Sequence, residues 1–239
     1  MSTPPPVIQR MQSLVQQWEA AADRRSVFLS CYMLMTGNML AAIQAGEFDD
    51  AGWVNRMLHR FADYYFDALA VYEQDSPATP AVWRLTFDAA RRPGTHVLQN
   101  LLLGVNAHIN YDLVLTLVDV LEREWARLSP EQRQRRYTDH CHVNHVIGQT
   151  VDRVQDTVVE RLAPALDIVD KLLGPLDEWL ASRLISHWRD QVWQHAVLLI
   201  ETPQPVERER LRRHVEAASL QRADAILLDG SPLALKNLL

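Results

Sequence analysis

Apolar residues recur along nearly the whole chain at intervals of three and four, the spacing that lines one face of an α-helix. Val7, Met11, Leu14, Val15 and Trp18 make the first such face, and Phe28, Tyr32, Met35, Met39 and Ile43 make the second, which Gly46 ends. Asp49 and Asp50 precede a third run, Trp53, Met57, Phe61, Tyr64, Tyr65, Ala68 and Tyr72, where a carboxylate can cap the first free N–H groups. Thr79-Pro80 reads as an N-cap followed by proline at the first helical position, opening a short fourth helix through Trp83 and Phe87. Arg92-Pro93-Gly94 breaks the chain before a central fifth helix.

Ser129-Pro130-Glu131-Gln132 repeats the start signal with a capping box, and the pattern predicts a long helix from about Thr138 to Leu162, stopped by Pro164. Gly174-Pro175 is the next break, after which Pro175 to Glu201 reads as one helix and Val206 to Ala223 as a last amphipathic one. No period-2 strand pattern and no internal repeat stands out. The pattern predicts one all-α domain over 1–239, a bundle of about eight or nine helices around a central apolar helix of about 94–128. The ends, 1–6 and about 229–239, read as loose tails.

Inside the central helix, the 26 residues from Pro93 to Val118 hold Asp112 as their only side chain with a fixed charge. His108 precedes it by four residues, one helical turn, on a segment of Leu, Val, Ile, Ala and Gly. A buried carboxylate costs several kcal/mol unless it is paired, hydrogen-bonded or metal-bound. The run is long enough to span a bilayer, but Asn100, Asn106, His108, Asn110, Tyr111 and Asp112 crowd its middle. A core helix, with no membrane span, is the better expectation.

Composition agrees with helices: 8 glycines in 239 residues are too few for a turn-rich β architecture. A net charge of −6 offers nucleic acid no overall attraction. The local basic clusters at Arg133, Arg135 and Arg136 and from Arg208 to Arg213 are interleaved with Glu or Gln and read as solvated faces. Cys31 and Cys141, without CxxC spacing and in helical contexts, suit a reducing compartment, so a cytoplasmic protein is expected. The N-terminal Met-Ser-Thr-Pro-Pro-Pro lacks the pattern of a secretory signal.

Polar groups concentrate in three stretches, Asn106 to Asp112, Asp139 to Asp156, and His187 to His195. If the fold gathers them, His108 and Asp112 could bind a metal with Asp139 and His140, since His and carboxylate ligands suit Zn, Mn or Fe. Asn110 and Asn144 would orient water or substrate, and Arg189 would hold an anionic group. The bland alternatives are a hydrogen-bonded His108–Asp112 pair that only orients helices, and an Arg189 ion-paired at the surface. No nucleotide cofactor is indicated: GxGxxG, the Walker motif, GxSxG and HExxH are all missing.

The chain resembles the helical family of domains of unknown function numbered 5995. Asp23-Arg24-Arg25-Ser26-Val27-Phe28 with Tyr32, Gly46-x-Phe48, Trp53-Val54 and Phe61-Ala62 with Tyr65-Phe66 carry the likeness. So do Leu103-Gly104-Val105-Asn106-Ala107-His108-Ile109-Asn110 with Asp112-Leu113, then Asp139-His140, Val143-Asn144, Arg189 and Trp193. The resemblance implies a soluble helical protein and marks His108, Asp112, Asp139, His140, Asn144 and Arg189 as its polar positions. A fainter similarity, Leu103-Gly104 with His108-x-x-x-Asp112, links the chain to helical zinc-dependent phospholipase C enzymes.

The leading expectation is therefore a metal-dependent hydrolase of an ester, amide or phosphoester. A metal-free acid/base isomerase or cyclase of an apolar metabolite is the first alternative. The second is a protein that binds a lipid-like or aromatic small molecule, with a haem carrier as its minor variant.

Overall fold

The computed structural model describes residues 4–154 and 175–228, with side chains for 4–150 and 183–228. Every regular element in these residues is helical, and the eight helices make one all-α domain. They are α1 (Pro6–Ala20), α2 (Arg25–Ala45), α3 (Ala51–Glu73), α4 (Ala81–Arg91), α5 (Val97–Trp125), α6 (Pro130–Val154), α7 (Pro175–Glu201) and α8 (Pro205–Leu228). The central helix α5 has three parts: Val97–Ala107, a π-helical turn at His108–Asp112, and Leu113–Trp125.

Local chemistry explains most boundaries. Gly46 leaves α2 in the left-handed region at φ 76°, where a Cβ would be strained. Asp50 caps α3 by accepting from the Trp53 N–H at 2.8 Å. The capping box at Ser129 and Gln132 forms both ways, Gln132 Oε1 accepting from Ser129 N at 2.8 Å and Ser129 Oγ from Gln132 N at 3.3 Å. Because that box closes the first turn at once, α6 begins at Pro130, not at Thr138; its predicted end near Leu162 lies outside the described residues.

Three other boundaries shift. Thr79 does not cap α4: its hydroxyl donates to the Ser76 oxygen, and Pro80 takes the cap position. The chain is helical from Pro6, the last residue of the expected N-terminal tail, and residues 1–3 lie outside the described residues. Helix α8 continues beyond Ala223 to Leu228, with Ile226 buried and the carbonyls of Ile226 and Leu227 accepting from Gln99 on α5. The tail 229–239 lies outside the described residues.

Helix α5 is touched by α2, α3, α4, α7 and α8. One half of the core packs Trp53, Met57, Leu113, Leu117, Leu121, Val192 and Leu199; the other packs Met11, Trp18, Phe28, Tyr65, Trp83 and Phe87. Phe61 and Tyr111 pack against both halves, so the π-turn of α5 occupies the seam. Two helices, Arg25–Ala45 and Val97–Trp125, are long and apolar enough to cross a membrane, with 50% and 78% of their most apolar windows buried inside the protein.

Gly104 fixes how closely α2 approaches α5. A Cβ there would fall 2.3 Å from Cγ of the Phe28 ring, nearer than any real contact. In an open helix Gly→Ala adds about 1 kcal/mol of stability. Here we expect Gly104→Ala to cost about 1–3 kcal/mol through overpacking, read as a lowered midpoint in denaturant unfolding.

Candidate functional site

At the seam, the turn of α5 widens: the Leu113 N–H bonds back five residues to the His108 oxygen. Such single π-turns often mark functional positions. His108 and Asp112 both point inward, 3% and 1% exposed. His108 Nδ1 lies 2.9 Å from Asp112 Oδ2. The indole N–H of Trp83, on α4, donates to Asp112 at 3.0 Å from each oxygen.

Five aromatic rings box the imidazole. Phe61 lies flat on it, with centroids 3.5 Å apart and planes 8° from parallel, and Tyr32 meets it edge-on at 4.3 Å. Phe28, Tyr65 and Trp83 close the box at 5.8, 6.1 and 6.1 Å. Of these five only Phe61 is half-buried, the rest being buried, so it is the wall nearest solvent. Within the box His108 Nε2 is buried and has no hydrogen-bond partner among the described residues.

Burial sets the charge of this pair. It pushes the His108 imidazole well below its ordinary value and the Asp112 carboxyl well above, the Trp83 hydrogen bond opposing the second shift. Burial, with Asp112 second, also raises the Tyr32 phenol, which stays protonated. The low-dielectric interior thus favours a pair without net charge. In that state Asp112 carries a proton and gives it to Nδ1, and Nε2 presents an N–H to the box. A guest base can take the Nε2 proton while Asp112 passes its own to Nδ1, so the ring need never be charged.

The other expected site residues lie elsewhere. Asp139, on α6, accepts from the backbone N–H groups of Asp49 and Asp50 at 2.8 and 2.9 Å, holding the turn that starts α3. His140 Nε2 is 3.0 Å from the Arg189 oxygen, and Arg189 donates to Asn144 Oδ1 at 2.7 Å and to the His140 oxygen at 2.7 Å, joining α6 to α7. The Asn110 amide donates to Asn106 Oδ1 at 3.0 Å, and Asn106 in turn to the Ser219 oxygen of α8. No three His, Cys, Asp or Glu side chains gather into a metal-holding group among the described residues. The four expected ligands are therefore divided: His108 with Asp112 at the seam, Asp139 and His140 engaged on α6.

Sequence reasoning missed Trp83 and the aromatic box. Trp83 read as an ordinary apolar position of α4, and the 29 residues to Asp112 leave no local spacing to connect them. The one usable signal was chemical: a buried indole N–H usually finds an acceptor.

The model of the Family of unknown function (DUF5995) matches residues 5–229. The chain belongs to the DUF5995 family. No curated protein and no solved structure matches it. Some of the residues that carry the resemblance fall in two places. His108, Asp112, Phe28, Tyr32, Phe61 and Tyr65 build the seam, whereas Arg24 and Arg25 brace the start of α2, the first donating to the Thr95 oxygen at 2.6 Å and the second to Asp23.

The uncharged pair predicts a pH signature. An unfolded chain holds one proton on these two groups between their ordinary values of 3.8 and 6.5, the same number as the folded pair. Above 6.5 the unfolded pair holds none while the folded pair keeps one, so the pair's contribution to stability falls as pH rises, by at most about 1.4 kcal/mol per unit. Subtracting the unfolding free energy of His108→Gln/Asp112→Asn from that of the wild type between pH 5 and 9 should give a plateau followed by this decline. A flat difference is contrary to an uncharged pair.

Proposed function

We propose that the protein is an enzyme that binds an apolar small molecule at the seam and moves a proton to or from one of its oxygens through His108 Nε2. The supporting observation is that nitrogen itself: buried, unpartnered, and backed by Asp112 and Trp83. A buried polar atom without a partner costs about 1–3 kcal/mol, a cost that a guest oxygen would remove. The chemistry is general acid/base catalysis, as in an isomerase or cyclase of an apolar metabolite. His108 is the proton donor and acceptor, Asp112 its relay, and Trp83 the group that steadies the carboxylate once it loses its proton. Phe61, flat on the imidazole and nearest to solvent, is the ring a guest would displace.

A metal-dependent hydrolase of an ester, amide or phosphoester is the second reading. In its favour, a carboxylate on Nδ1 with Nε2 open is the arrangement that orients metal-ligating histidines. Further ligands would have to join His108, and elemental analysis separates the two: near-stoichiometric Zn, Mn or Fe in purified protein favours the hydrolase. A binding protein would make the same contact without turnover. The free Cys31 and Cys141 support a cytoplasmic setting, and the 78% burial of the apolar window of α5 supports a chain without a membrane span.

The test is a screen of apolar ketones, enols and phenols for ligands that shift the His108 ring resonances in NMR, followed by turnover assays of those that bind. Asp112→Asn should keep binding within a few fold and slow turnover by about 10²–10⁴-fold, the range for a disrupted acid/base group. Turnover unchanged in both Asp112→Asn and His108→Gln would refute the proposal.

A further inference from the structure

Arg189 is only 3% exposed, yet its hydrogen-bond partners are all uncharged. Nε donates to Asn144 Oδ1, and Nη2 to the His140 oxygen, with His140 Nδ1 a longer contact at 3.3 Å. His140 returns the contact through Nε2 to the Arg189 carbonyl. That carbonyl can only accept, so Nε2 bears the hydrogen and Nδ1 the lone pair. Burial and, second, the charge of Arg189 hold His140 well below its ordinary value, and the ring is neutral. Burial lowers Arg189 as well, to about 10, which leaves it charged at neutral pH.

No carboxylate forms an ion pair with this guanidinium among the described residues; Asp190 acts on it only through its field. A charge inside a protein that has no carboxylate paired with it is expensive. The staple between α6 and α7 engages Nε and Nη2, while the two N–H groups of Nη1 donate to none of the described residues. Tyr137, Cys141, Asn144 and Asp190 around it are half-buried, so the guanidinium lies one layer below the surface.

From this geometry we infer that Arg189 is the floor of an anion site, separate from the seam, that takes a small oxyanion, a carboxylate or a phosphoryl group, on Nη1. Nη1 carries two N–H donors, and a charge-assisted hydrogen bond from it to an oxygen of such a group is among the stronger kinds. Asn144 and His140 orient the fork through Nε and Nη2. Asp190, whose carboxylate shares the field and accepts from Tyr137 at 3.3 Å, tempers the affinity.

The experiment is a titration with inorganic phosphate and with acetate at constant ionic strength against chloride, following the melting temperature and the heat of binding. Saturable stabilisation by phosphate identifies a phosphoryl ligand, and by acetate a carboxylate ligand. Arg189→Lys keeps the charge but not the fork and should weaken binding at least about tenfold. Asp190→Asn, which preserves shape, should tighten it roughly three- to tenfold by removing a like charge near the anion. No saturable response to either anion, or the same affinity in folded Arg189→Lys, overturns the inference. If Arg189→Lys does not fold, Asp190→Asn decides, and an unchanged affinity in it counts as the overturning result.

Discussion

The desolvation of one ionisable pair governs the middle of this protein. Asp112 and His108 lie where two halves of an apolar core meet, and neither can be hydrated there. Leaving either neutral group buried without the other costs about 1–3 kcal/mol, so the surroundings must hold both. The Trp83 indole spans both oxygens of Asp112, the π-turn positions the two side chains, and the aromatic rings exclude water. The contact of Gly104 with Phe28 belongs to the same arrangement, because Phe28 is one wall of the box. What is left over is Nε2, the one position at which the pair can act on something else.

Other buried polar groups include braces and a charge in excess. Asp139 holds the backbone at the start of α3, and Asn110 with Asn106 ties the π-turn to α8. These groups fix where α5 sits against its neighbours, and their hydrogen bonds close within the protein. Arg189 differs, since its charge exceeds what its neutral partners require.

Periodicity and caps made the helices legible, because each helix buries a stripe of its own sequence and is started by its own flanking residues. Gly46, Asp50, and Ser129 with Gln132 behave as local chemistry predicts. Where an end depends on another helix, sequence fell short: α8 runs past Ala223 because Ile226 is buried and the carbonyls of Ile226 and Leu227 bond to Gln99 of α5. The site divides in the same way. The pairing of His108 with Asp112 was readable from a spacing of four in an apolar run. The joining of Trp83, Phe61 and Tyr32 around that pair was not, since it depends on how α2, α3 and α4 pack. The concentration of polar groups on α6 suggested ligands in Asp139 and His140, and helix rotation directs them to a backbone turn and to Arg189.

Nitrogen NMR of the His108 ring tests the uncharged buried pair most directly. With Asp112 holding the second proton, the imidazole should remain neutral from pH 5 to pH 8, with its hydrogen on Nε2 throughout. A ring that titrates near its ordinary value of 6.5, with both nitrogens protonated below it, would contradict the pair on which the structure is organised.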